Sequence, residues 1–259
     1  NYWGRTAPIA GCLRPMTEAT TAIEDPPQPR SLEQAESFDL SFAGQDWLLV
    51  EGAVDLFIQQ QIHGRPHGPR RQIARLQAPA LLSWQDSIDS RTLVVACAES
   101  RLVPWLVPGP ESRDTDLVVR ALEAWFAGLG ERLARKLQAS AGGQAAVQAG
   151  KTYNVPASVA LYPGQGLLCA RWNGKGPLVL GETEVPSSLV AAFVPLIPGL
   201  RVWSPKEAKV QVQSAGEMLP PAATNPIRGW SNFLLEQHRR RLVSEEEVLT
   251  ARAASRAES

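Results

Sequence analysis

His63 and His67 stand four residues apart, the spacing that places two imidazoles on one turn of a helix and lets them share a metal ion. Gly64, Pro66 and Gly68 between and beside them oppose a helix, so the pair reads as part of a solvated loop and no metal site is expected. The three cysteines, Cys12, Cys97 and Cys169, are odd in number, far apart and without a CxxC pair. They suit neither a disulfide framework nor zinc, and they fit a reducing cytoplasm. A hydrolytic serine needs an adjacent base and an oxyanion site, yet no GxSxG occurs and the histidines fall in a loop or on the last helix. No GxxxxGK[ST] phosphate loop occurs either, so this segment does not hydrolyse nucleotide by that route. A cupin-like metalloenzyme would require several inward-facing histidines and carboxylates on strands, and the candidate strands lack them. The expectation is a segment that is not an enzyme and carries no cofactor.

The other chemically conspicuous residues read as structural. Trp47, Trp84, Trp105, Trp125, Trp172, Trp203 and Trp230 are spread through the chain, as core or interface residues are. The run from His238 to Arg241, HRRR, precedes Glu245, Glu246 and Glu247. It reads as a helix face whose arginines pair with those glutamates and whose charge meets a partner subunit or membrane headgroups. Lys plus Arg and Asp plus Glu both total 26, so no global field attracts nucleic acid, which is not an expected partner.

The elements that position these residues are mostly short strands. At 259 residues and 44% hydrophobic content the chain can bury real cores. Residues 1–35, with Pro26, Pro27 and Pro29, read as an extended or poorly ordered arm. In WLLVEGAVDLFI, Trp47 to Ile58, two apolar strands meet at Glu51-Gly52 as a hairpin of a small β-roll, with Val54, Leu56 and Ile58 inward and Asp55 toward solvent. HGRPHGPRR, His63 to Arg71, reads as a surface loop before RRQIARL resumes the alternation. Residues 36–139 thus form a first β-roll plus a helix whose stripe is Leu117, Val118, Leu122, Trp125, Phe126, Leu129, Leu133 and Leu137. The small, polar stretch 140–150 reads as a linker, 151–219 as a second roll and 220–259 as a C-terminal helix from about Ile227. Phe42-Ala43-Gly44-Gln45 and Tyr162-Pro163-Gly164-Gln165, each followed by a Leu-Leu pair, form a faint repeat. The fold class is mainly β with α: two tandem β-roll or jelly-roll domains with flanking amphipathic helices. No apolar run reaches the roughly 18–20 residues of a membrane span. The chain starts with Asn1 rather than Met, so it is expected to be a processed or partial portion of something longer.

A β-roll followed by an amphipathic helix resembles the cyclic-nucleotide-binding fold, in which a short helix and an Arg-bearing loop cradle the cyclic phosphate. The corresponding stretch is ALLSWQDSIDSRTLVVACAES, residues 80–100. The resemblance sets Arg91 and Thr92 where that fold places its phosphate-binding Arg and the small residue after it. The family's Phe-Gly-Glu start is replaced by Leu82-Ser83-Trp84, which removes the close backbone approach and the ribose contact. It therefore implies a degenerate, ligand-free roll, with a cyclic-nucleotide sensor acting through Arg91 and Thr92 as the alternative. The order VEGAVDLFIQQ, GRPHGPRRQIARL, VVRALEAWFAGLGERLAR, FVPLIPGLRVW and a terminal helix ending EEEVLTARAASRAES is similar to something narrower. Over about residues 36–259 it resembles the N-terminal cytoplasmic region of ABC exporters associated with nitrile-hydratase-like leader peptides, in the permease/ATPase form. That resemblance implies a regulatory or protein-interaction module of a bacterial peptide-export assembly. Its partner would be another part of the transporter or a leader peptide, ATP hydrolysis would belong to a nucleotide-binding domain outside this segment, and the location would be cytoplasmic, with peripheral contact to the inner membrane face through the C-terminal helix. A stand-alone scaffold or adaptor subunit is the remaining alternative.

Overall fold

The structure, a computed structural model, describes residues 28–84, 87, 89–105, 115–136, 142–218 and 224–257. Eight strands come first: β1 (Arg30–Leu32), β2 (Ser37–Asp39), β3 (Trp47–Glu51), β4 (Ala53–Ile62), β5 (Arg65–Gln77), β6 (Ala80–Leu82), β7 (Ser90–Ala96) and β8 (Ser100–Pro104). They form two four-stranded antiparallel sheets, ordered β1-β8-β3-β6 and β2-β7-β4-β5. Helix α1 (Thr115–Lys136) leads to β9 (Gly143–Val147), β10 (Lys151–Val155), β11 (Val159–Pro163), β12 (Leu168–Gly174), β13 (Val179–Leu180) and β14 (Thr183–Glu184). Then come α2 (Ser187–Ala192), β15 (Val194–Leu196), β16 (Val202–Trp203), β17 (Ala208–Ser214), α3 (Ala215–Met218) and α4 (Thr224–Ala257). The protein is mainly β with helices.

The later strands lie in sheets ordered β10-β17-β12-β15 and β14-β13-β16-β11-β9. Counted from β10, they repeat the order of the first set. The first strand lies beside the eighth, then the third and the sixth; the second, seventh, fourth and fifth share the other sheet. The added strand is β9, parallel to β11 at the sheet edge. Phe42-Ala43-Gly44-Gln45 lies between β2 and β3, and Tyr162-Pro163-Gly164-Gln165 spans the end of β11 and the start of its connection to β12, so the faint sequence repeat falls at the matching step of the two sets.

Several expectations are corrected by this arrangement. Glu51-Gly52 is not a hairpin turn, because β3 and β4 lie in different sheets. It is the corner where the chain crosses between them. Gly52 has φ +86°, and a Cβ there would lie 2.4 Å from the Glu99 carbonyl oxygen, so the corner admits only glycine. The true hairpin joins β4 to β5 at His63 and Gly64, whose positive φ values of 51° and 73° belong to a tight turn of the kind that suits strand twist. The tract from Arg65 to Arg71 is strand rather than loop. Its two prolines, Pro66 and Pro69, and its glycine are tolerated because β5 is an edge strand, with one side free of ladder bonds. The stretch expected as a linker contains β9, paired through Gly143↔Val159 to Val147↔Pro163. Arg30–Leu32, expected in the arm, is β1, with Leu32 fully buried; residues 1–27 lie outside the described residues.

A single apolar cluster runs through both sets of strands and the helices, and α1 lies at its middle. Leu122, Trp125, Phe126, Leu129 and Leu133 have no exposed surface. Its glycines allow close approach on two sides. A Cβ at Gly128 would stand 2.4 Å from Leu76 Cδ2, and one at Gly130 would stand 2.8 Å from Ile197 Cγ2. The final helix closes the assembly: Trp125 Nε1 donates to Ser231 Oγ at 2.9 Å, and His238 Nε2 lies 2.9 Å from the Leu129 carbonyl, to which it donates. Among the described residues no helix is long and apolar enough to cross a membrane.

Candidate functional site

Arg91 and Thr92 come out on opposite faces of their sheet. Strand β4 pairs with β7 through Ile58↔Thr92 and Gln59↔Arg91, and side chains alternate across a strand. Thr92 therefore joins Leu56, Ile58 and Val94 inside, fully buried, with its N–H donating to Ser41 Oγ at 2.8 Å. Arg91 points outward, where Nη2 and Nε donate to Gln59 Oε1 at 2.7 and 3.1 Å and the Asp39 carboxylate stands 3.8 Å away. One pocket cannot use both side chains. In the second strand set, Arg201, just before β16 and not singled out from the sequence, lies 5.9 Å from the centroid of the Tyr162 ring.

The segment that stands where the resembled family has Phe-Gly-Glu is built into the scaffold. Leu82 and Ser83 are fully buried. Asp46 Oδ1 accepts from the Trp84 N–H at 2.6 Å and from Ser83 Oγ at 3.2 Å, while Oδ2 accepts from Arg228 Nη2 at 3.0 Å. The Arg228 guanidinium lies 5.2 Å from the Trp84 ring centroid, and Trp84 Nε1 donates to the Ser41 carbonyl at 3.1 Å. A buried carboxylate needs such partners to offset its lost hydration. The knot ties α4 to the first strand set. Residues 85, 86 and 88 lie outside the described residues.

A different concavity opens between the outer face of β4 and β5 and the helices α1 and α4. This groove measures about 580 Å³. Phe57, Ile73, Leu133 and Leu242 supply apolar lining, and Arg70, Arg71, Arg132 and Arg241 supply charge, with Glu245 the acidic lining residue. Register shifts between Leu56 and Phe57 and between Ile58 and Gln60 place the extra residues on β5, the bulged partner of β4 here. Arg132 is held by Gln72: Nη2 donates to Oε1 at 2.7 Å and Nη1 to the backbone carbonyl. Burial lowers the Arg241 pKa from its ordinary value, opposed by the charge of Glu182, so this guanidinium is partly stripped of water. The other arginines of the HRRR run differ from expectation. Arg239 and Arg240 pair back to Glu236, at 2.6 and 2.9 Å, and Arg239 also faces Asp89 at 3.7 Å. The i−3 and i−4 neighbour lies on the same helix face, so it meets them first.

Among the described residues the thiols are Cys97 and Cys169. Burial raises the Cys97 pKa, assisted by the Asp55 carboxylate, and burial alone pushes Cys169 up to about 12. Both are held as thiols at neutral pH, the form that is not nucleophilic. His63 and His67 lie on the exposed β4–β5 ribbon, and no group of three or more potential metal ligands is found among the described residues.

No protein-family model matches the chain, and no curated protein matches it. Among solved structures, the cAMP-bound PfPKA-R (141-441) is 9% identical with a TM-score of 0.26, covering 86% of this chain and 79% of that one. A cupin 2 conserved barrel domain protein from Leptotrichia buccalis is 11% identical with a TM-score of 0.18, covering 73% and 79%. Superpositions this loose carry no weight, and the description of the fold rests on the strand orders.

Proposed function

We propose that this chain is a non-catalytic recognition module, a tandem of two rolls of the cyclic-nucleotide-binding type. In this reading the first roll, with α1 and α4, offers its groove to an acidic, amphipathic peptide segment. The groove carries the reading: four arginines surround a floor whose accessible apolar surface comes from Phe57 and Leu242, over the buried Ile73 and Leu133. Apolar side chains of a peptide would bury against that floor, and carboxylates would pair with guanidinium groups whose forked donors suit them. The same groove offers no nucleophile, no metal-binding cluster and no base poised on a hydroxyl among its lining residues.

A leader peptide of an export system belongs to the class of ligand that such a groove would take. The setting in an ABC exporter rests on the order of sequence segments alone. Apolar spans and a phosphate loop in the reading frame beyond Ser259 would support it, and their absence there would leave an adaptor. The sensor reading is disfavoured by the engagement of Arg91 with Gln59 and Asp39. Calorimetry with cyclic AMP and cyclic GMP tests it.

Anisotropy of a labelled Leu/Glu amphipathic peptide tests the groove. Saturable binding that weakens about tenfold in Arg70→Glu/Arg71→Glu and falls with added salt is expected. Absence of saturation, or binding that the exchange leaves unchanged, overturns the proposal.

A further inference from the structure

We infer that Arg241 is the residue that selects the ligand of the groove between α1 and α4, pairing with one carboxylate of a bound acidic segment beside the Phe57 and Leu242 side chains. The role of Arg241 rests on the groove being the peptide site proposed above, and it separates the four arginines there into one that holds and others that attract. Arg241 is half-buried and lines the groove with His238 and Leu242 of the same helix. Its two neighbours in the HRRR run have a carboxylate at hand, since Arg239 and Arg240 both donate to Glu236. Arg241 makes no hydrogen bond or ion pair among the described residues, and the Glu182 carboxylate acts on it only through space. Glu245, four residues on and also lining the groove, does not pair with it. A guanidinium partly stripped of water and left without a counter-ion is costly, and an incoming carboxylate relieves that cost.

The scaffold around Arg241 is fixed. His238, one turn earlier and buried, is bonded to the Leu129 carbonyl at 2.9 Å, which ties this stretch of α4 to α1, and a ligand group is held best from such an anchored element. The other arginines are placed differently. Arg70 and Arg71 are exposed on β5, where water and salt screen their charge; they draw an acidic segment in without holding it tightly. Arg132 is also exposed and already donates to Gln72 through both terminal nitrogens. A pair formed with the half-buried Arg241 is screened less, and its forked donors suit a carboxylate.

Stopped-flow anisotropy of the full chain with a labelled Leu/Glu amphipathic peptide and its Leu/Gln counterpart tests the role of Arg241. Arg241→Gln should raise the dissociation rate of the Leu/Glu peptide about tenfold with little change in association, and should narrow the preference for Leu/Glu over Leu/Gln. Arg70→Gln/Arg71→Gln should instead slow association and flatten its dependence on salt. Because Arg241 has no partner to lose, Arg241→Gln without peptide should melt at or above the temperature of the unaltered protein. Leu/Glu binding that Arg241→Gln leaves unchanged overturns the inference and leaves the groove reading standing, whereas absence of saturable binding overturns both. A lower melting temperature for Arg241→Gln, or an equal loss for the two peptides, would show a residue that supports the fold rather than one that meets a carboxylate, and overturns the inference as well.

Discussion

Asp55 lies on the outer face of β4, where it accepts hydrogen bonds from Arg75 Nε and Gln72 Nε2, each at 2.7 Å, and from Arg75 Nη2 at 2.9 Å. Strand alternation predicts the inward set Val54, Leu56 and Ile58, all fully buried, but it also places Asp55 in open solvent. Its side chain is only 15% exposed, because the partners come from the strand resumed after a tract read as a loop, and no pattern within β4 could announce them. The Arg75 guanidinium holds the Asp55 carboxyl below its ordinary value, against the opposing effect of burial. A folded-state pKa below the unfolded one means that the unfolded chain binds the proton first on acidification. The stabilisation is thus complete above the usual carboxylate range, near pH 4, and is lost as pH falls through the lower folded value. Thermal melts of the protein and of Asp55→Asn should differ most near neutrality and converge below that range. A gap that persists or widens in acid would show that the ionised carboxylate is not what stabilises β4. Arg91 teaches the same lesson: the sequence did not show on which side of the sheet its side chain would lie.

At the scale of elements, the stripe read from α1 recovered Leu122, Trp125, Phe126, Leu129 and Leu133 as buried. It gave no hint of Gly128 and Gly130, which a propensity argument counts only as weak helix formers. Their role is contact with two surfaces, Leu76 of β5 on one side and Ile197 and Leu200 after β15 on the other. A helix covered on more than one face shows less periodicity than its packing requires, because a glycine at a close crossing reads as neither apolar nor polar. Alanine at either site would gain about 1 kcal/mol in helix propensity and lose about 1–3 kcal/mol to overpacking. At Gly128, where the clash is 2.4 Å with a buried leucine methyl, the loss should win. Chemical denaturation should find Gly128→Ala destabilised, and more so than Gly130→Ala, whose nearest atom is 2.8 Å away. A stabilised Gly128→Ala would mean that Leu76 moves aside freely.

For the whole molecule, short strands and turn signals made a mainly β fold with helices legible, while the crossing of the chain between sheets did not show in any local pattern. The identical strand orders of the two sets emerge only from pairing across long stretches of sequence. Long-range contacts argue against an autonomous first unit. Reading α1 as the cover of the first roll suggests that a piece ending after the helix folds alone. In the structure the same helix donates from Trp125 Nε1 to Ser231 and offers its Leu129 carbonyl to His238, both on α4. Removing α4 and the second strand set would uncover part of Trp125 and Leu129, side chains whose full burial contributes about 1.5–3 kcal/mol each. A piece spanning residues 28–136 should therefore melt without a sharp transition and bind a hydrophobic dye, as loosely packed states do. The full chain, with its one continuous core, should unfold in a single calorimetric transition whose calorimetric and van't Hoff enthalpies agree. Two resolved transitions, the lower matching a cooperative melt of the 28–136 piece, would instead make the strand sets independent units and reduce α1 to a part of the first.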